Sequence, residues 1–275
     1  MKKILFIGYL FVLIACGGCE SSNENGKKKI LGEDLSPSDK ETPSNSKKAP
    51  LYPNSVVSNN LDFIRSFDQG SEGVLKYQGT GRREMPDKRN NILNTDGVYT
   101  FNVEYEDGSS VGIWVHPDIR SMKLATEFAT NIINPIGKLH PIMREKLDHI
   151  VVHNGDETAF AESDAQFFVL YSDNIATRIT NNDLEETVFH EAVHATLDNQ
   201  YAQSEAWKTA VTKDNAYITD YAANNPNKED LAESALFAWA VLIHPGRLPA
   251  SVEQSVKALI PNRIAFFKKI FLSSE

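Results

Sequence analysis

Residues 182–199 read NDLEETVFHEAVHATLDN, with His190, Glu191 and His194 at the centre of the run. On an α-helix, residues four apart differ by about 40° in azimuth and about 6 Å along the axis. The imidazoles of His190 and His194 can therefore converge on one ion from a single face. Glu191 is rotated by about 100° from His190, beside such an ion and not on it, where a general base for water must stand. The flanking residues favour a helix. Asn182 is the expected N-cap with Glu185 at the capping-box position, and Asp183, Glu185 and Glu186 complement the positive end of the dipole. Leu184, Val188, Phe189, Ala192, Val193 and Ala195 leave little polar circumference, so the helix is expected to be buried. In a chain with seven histidines, His-Glu-x-x-His arises by chance about once per hundred such sequences. The competing reading is a buried helix whose histidines bond to backbone carbonyls, or a structural zinc.

The chain has 275 residues, with 41% hydrophobic and 24% charged content, an ordinary globular balance. A net charge of −9 argues against a nucleic-acid partner. Met1 to Cys19 reads as a targeting segment: Lys2 and Lys3 precede the apolar stretch Ile4 to Ile14, which is short for a bilayer span. It ends in Leu13-Ile14-Ala15-Cys16, which resembles a bacterial lipobox, and that resemblance implies lipidation of Cys16, with Cys19 the weaker candidate. A secretory signal or an anchor helix is the competing reading. Both cysteines of the chain lie here, so the remainder offers no disulfide. Residues 20–53 are rich in Ser, Asn, Lys, Glu and Pro and read as a disordered tether. Residues 54–275, about 225 of them, suffice for one large domain or two intimate lobes, divided near 199/200.

Within that domain, Val74 to Tyr77 is expected as a short strand and the basic stretch Gly79 to Arg89 as an exposed loop. Val98 to Tyr105 alternates, Asp107-Gly108 supplies a turn, and Val111 to His116 returns; this hairpin is the clearest strand signal. Asp118 is expected to cap a helix to about Ile133, broken by Pro135-Ile136-Gly137, with a short helix to Leu147. Ile150 to His153 and Gln166 to Tyr171 read as strands around a polar segment, Asn154 to Asp164. The second strand is either a free edge able to pair with an extended peptide or an internal strand. His116, His140, His149 and His153 follow no ligand spacing and read as structural or surface residues.

A catalytic zinc usually has three protein ligands. Leu197 and Gln200 stand where a His-Glu-x-x-His-x-x-Gly-x-x-His site needs Gly and His, which excludes that pattern. Further on, Asn227-Lys228-Glu229-Asp230-Leu231-Ala232-Glu233 opens a helix continuing through Leu242. Glu229 and Glu233 share a face: one carboxylate can bind the ion while the other accepts a hydrogen bond from a ligand histidine. With HEAVH and EDLAE in this order, the chain resembles the gluzincin metallopeptidases, among them the catalytic domain of anthrax lethal factor and its relatives. The likeness spans roughly residues 150–242 and is specific only at those two motifs. It implies that Glu229 is the third ligand, that Glu233 orients a histidine, and that Tyr221 steadies the oxyanion. Asp220 is a rival ligand, Tyr217 a rival to Tyr221, and a solvated helix start the bland reading of both glutamates.

The expected architecture is α+β and zincin-like: a twisted sheet with backing helices, then the metal helix, then a helical lower subdomain. The resemblance implies one Zn²⁺ per chain on His190, His194 and Glu229, with Glu191 as general base in peptide-bond hydrolysis. It further implies a peptide or protein substrate, and the chain is expected to be a monomer. Membrane contact is expected through the lipid, at a bacterial envelope, the outer membrane or cell surface before the inner membrane. The competing class is a non-catalytic envelope lipoprotein, a binding or assembly module of the same shape; an intact Glu191 speaks against it.

Overall fold

The computed structural model describes residues 47–272, so Cys16, Cys19 and most of the tether lie outside the described residues. Among these, six strands and nine α-helices make an α+β fold around one open mixed sheet. Two long strands come first, β1 (Gly73–Glu84) and β2 (Asn94–Tyr105), then β3 (Ser110–Val115), all antiparallel. Asp107-Gly108 forms the turn as expected: Gly108 has φ +87°, and Asp107 accepts from the Ser109 amide and hydroxyl. The buried guanidinium of Arg144 ties this turn to the end of the following helix, bonding Asp107, the Ser109 hydroxyl and the Gly137 and Leu139 carbonyls.

Helix α1 (Met122–Gly137) crosses the sheet, and α2 (Pro141–Lys146) leads into β4 (His149–His153). Strands β5 (Phe160–Glu162) and β6 (Phe167–Tyr171) complete the spatial order β1-β2-β3-β4-β6-β5, with β3, β4 and β6 parallel and β5 antiparallel at the edge. Every residue of β4 and β6 is buried, as strands covered on both faces must be. One face meets the helices through Ile113, Ile150, Val152, Phe168 and Leu170; the other carries a small cluster of Met85, Val98, Val151, Val169 and Tyr171.

Then come α3 (Ser172–Asn181) and α4 (Leu184–Tyr201), the helix of the quoted run. The chain ends in α5 (Glu205–Asp214), α6 (Asp220–Asn224), α7 (Asp230–Ile243), α8 (Ala250–Leu259) and α9 (Pro261–Phe271). Helix α7 is buried from Asp230 to Val241, packed between α4 and α9. Its first turn is pinned from below: the fully buried Arg263 bonds Asp230 through Nε and Nη2 (3.1 and 2.9 Å), Asp214 through its amide (3.0 Å) and the Ala216 carbonyl (2.8 Å).

Several local expectations are corrected. The stretch Gly79 to Arg89 is not all loop, because β1 runs through Glu84 in register with β2 down to Asn94. Pairing with a distant strand, bulged at Gly79 (φ +103°), outweighs its polar composition. Ser121 and not Asp118 caps α1, accepting from the Leu124 amide, while Asp118 lies in a short 3₁₀ turn. Pro135 is held inside α1, which ends at Gly137, where a Cβ would lie 2.3 Å from the Ser71 carbonyl oxygen. Asn182 is not the N-cap of α4: in the left-handed conformation (φ 59°) it terminates α3, and Asp183 precedes α4 without a side-chain cap. Glu185 makes no capping box; it meets Lys138 at 2.9 Å. Strand β6 is internal, and the edge strand beside it is β5, inside the segment read as polar. The packed chain also begins before residue 54, since Lys48 and Tyr52 bridge to Ala216 and Thr219. No helix among the described residues is long and apolar enough to cross a membrane.

Buried Glu186, on the first turn of α4, gives a pH signature. Burial pushes its carboxyl up to about 8, helped by Asp183 and Asp62 and opposed by the Phe63 and Ile64 amides it accepts. A carboxyl raised above its unfolded value of 4.5 contributes stability that is complete below that pH and lost as pH rises through about 8. Glu186→Gln keeps the acceptor but cannot ionise. Its melting temperature is expected to fall less than wild type's between about pH 5 and about pH 9, leaving it more stable by several degrees at the upper end; parallel slopes would show that Glu186 does not titrate there.

Candidate metal centre

Two consecutive turns of α4 present His190 and His194 on its side facing α7, and Glu229, the residue just before α7, comes down between them. The Nε2 atoms of the histidines are 3.2 Å apart, and Glu229 Oε2 is 3.2 Å from His194 Nε2 and 3.5 Å from His190 Nε2. A tetrahedral zinc with bonds of about 2.0–2.1 Å separates its ligands by about 3.3 Å, the size of this triangle. Among the described residues, only these three form such a group of His, Cys, Asp or Glu atoms.

The electrostatics favour a cation. Burial alone lowers His194, but the carboxylates of Asp198 and Glu229 outweigh it and hold its pKa well above the ordinary histidine value. Burial raises Glu229, and the two histidines more than reverse it, leaving the carboxyl well below its usual range. A divalent ion satisfies the same three lone pairs without the proton that His194 otherwise needs. The donor set, two imidazoles and one carboxylate, could hold a metal ion.

Each histidine has an outer partner of a different kind. His194 Nδ1 lies 2.7 Å from Asp198 Oδ2, one turn on along α4. His190 Nδ1 is buried with no hydrogen bond; Glu233 Oε1 is the nearest carboxylate oxygen at 3.8 Å. Glu233 is fully buried on α7 and accepts from the Val56 amide (2.7 Å) and the Ser55 (2.5 Å) and Thr219 (2.7 Å) hydroxyls. The N-terminal segment thus holds the carboxylate behind His190.

Glu191 is buried against the triad. Burial pushes its carboxyl up, with His190 and His194 pulling it back and Glu229 adding to the rise. Tyr221, on α6, is about two-fifths exposed; burial and the nearby Glu229 carboxylate push its hydroxyl up to about 12. The rivals stand elsewhere. Tyr217 accepts from Lys47 (2.9 Å) and lies under Arg263, and Asp220 is not part of the triad. His149 stacks between Trp114 and Phe167, and His153 bonds the Pro86 carbonyl, structural roles as expected. Asp198 lies outside the His-Glu-x-x-His motif, but its position four residues past His194 on the same helix face is a local signal for it. Ser55, Val56 and Lys88 carry no sequence signal for this site.

No protein-family model, curated protein or solved structure matches the chain, so its function must be argued from its own residues.

Proposed function

We propose that this chain is a zinc-dependent peptidase with a zincin-like domain of the gluzincin type. The observation that carries the reading is the triangle of His190, His194 and Glu229 at tetrahedral ligand spacing, with buried Glu191 beside it. One zinc held there supplies Lewis acidity, acidifying water toward neutral pH and polarising a carbonyl. Glu191, raised by burial, takes the proton of the attacking water and returns it to the leaving amine. Tyr221, its hydroxyl at the Glu229 side of the triad, donates to the oxygen that gains charge. Asp198 fixes the tautomer of His194, and Glu233 stands behind His190. Strand β5, which packs on α4 and has an unpaired side, offers an extended peptide a partner. In this reading Cys16 carries a lipid that tethers a monomeric domain to a bacterial envelope membrane, and the substrate is a peptide or protein.

The test is hydrolysis of a mixed peptide library by the purified protein. Cleavage should stop with a chelator and return with added zinc. Cleavage indifferent to chelation would remove the metal from the mechanism.

A further inference from the structure

The connection between β1 and β2 is built onto the carboxyl ends of the central strands. Pro86 accepts from His153, Asp87 takes the Tyr171 hydroxyl at 3.1 Å and binds Arg89 through two of its nitrogens, and Arg89 Nη1 donates to the Asn154 carbonyl at 2.6 Å. This platform carries Lys88 across to the start of the edge strand β5. Its ammonium donates to the Thr158 carbonyl (3.1 Å), the Thr158 hydroxyl (2.8 Å) and the Ala159 carbonyl (3.0 Å), with the ring of Phe160 at 5.2 Å.

Two features make this lysine unusual. Its three acceptors are all uncharged, and it forms no ion pair among the described residues. Burial lowers the Lys88 pKa, and the carboxylates of Glu191, Glu157 and Glu229 oppose it, so its charge is felt at the site. Glu229 is committed to the two histidines, and a cation held by the triad offsets Glu229 and Glu191 together. By occupying the carbonyls of Thr158 and Ala159, the ammonium also ends the stretch of edge that a substrate strand can pair with.

We infer that Lys88, held at the start of β5, recognises a carboxylate of the substrate there, either an acidic side chain or the C-terminal carboxylate. The inference rests on the peptidase reading and adds the substrate class to it. Lys88 is not a corner of the metal triangle, so it selects substrates and does not perform the chemistry.

The experiment compares peptide pairs that differ only in charge: Asp or Glu against Asn or Gln at each position around the cleaved bond, and free C-terminal acid against amide. Wild type should favour the acid in one arm, which identifies the source of the carboxylate. An exposed ion pair gives a few-fold preference, so Lys88→Glu should swing the acid-to-neutral ratio of kcat/KM by about ten-fold, mostly through KM, and Lys88→Arg should retain the wild-type sign. Arg82→Gln, an exposed charge change on β1 at the opposite sheet edge, should leave the ratio as it was. Affinity of the same peptides for zinc-loaded Glu191→Gln protein should show the preference without turnover. Equal loss on acidic and neutral peptides in Lys88→Glu, or a like shift in Arg82→Gln, would overturn the inference while leaving the peptidase reading intact. Absence of both cleavage and peptide binding by zinc-loaded protein would overturn the two together.

Discussion

Glu191→Gln is expected to keep its zinc and lose hydrolysis by three orders of magnitude or more. The two halves of that result come from different atoms. The carboxylate of Glu191 is not a corner of the metal triangle, so an amide there leaves the three donors of His190, His194 and Glu229 as they are. General-base assistance is worth about 10²–10⁴, and an amide that also misplaces the attacking water adds to the loss. The substitution is nearly isosteric in a buried position, and burial already disfavours the charged form of the native side chain. Stability should therefore hold or improve slightly, which separates a lost base from a lost fold. The measurement is kcat/KM on the best library peptide, with zinc content determined on the same preparation. A variant that holds zinc and cleaves as wild type would remove Glu191 from the chemistry and favour a binding module.

Metal content should divide the surrounding carboxylates into classes. His190→Ala, His194→Ala and Glu229→Gln each remove one corner of the triangle and should leave purified protein with little zinc after dialysis. Asp198→Asn replaces the acceptor 2.7 Å from His194 Nδ1, and Glu233→Gln the carboxylate behind His190; each should weaken zinc by about 10–100-fold. Glu233 has a second effect, because Ser55, Val56 and Thr219 all donate to it. Its replacement should also lower the melting temperature with zinc absent, whereas Asp198→Asn, partly exposed at the end of α4, should do so far less. Asp220→Asn should leave zinc unchanged. If Asp220→Asn strips the metal while Glu229→Gln retains it, the third ligand has been placed one helix too late.

The parts of this site legible in the sequence are those set by position along one helix. His190, Glu191 and His194 are held in relation by the 3.6-residue repeat, and the Asp107-Gly108 hairpin by a short turn of Glu106, Asp107 and Gly108; neither needs the rest of the chain. The α+β class follows from the same local patterns. Boundaries are less legible, because Asn182 suits the end of one helix as well as the start of the next, and only the packing of α3 against α4 decides between them.

What tertiary structure alone decided lies at long separation. Glu229 is 35 residues from His194, and its place over the histidines depends on Arg263 holding Asp230 from another helix. Glu233 is clamped by Ser55 and Val56 from the other end of the domain, and Lys88 reaches Thr158 and Ala159 across 70 and 71 residues. The edge beside β6 belongs to β5, three residues long and too short for a periodic pattern, so no local signal marks it. Residue spacing along one helix is imposed by the backbone, but contacts between elements depend on which surfaces bury each other, and that is settled only when the whole core closes.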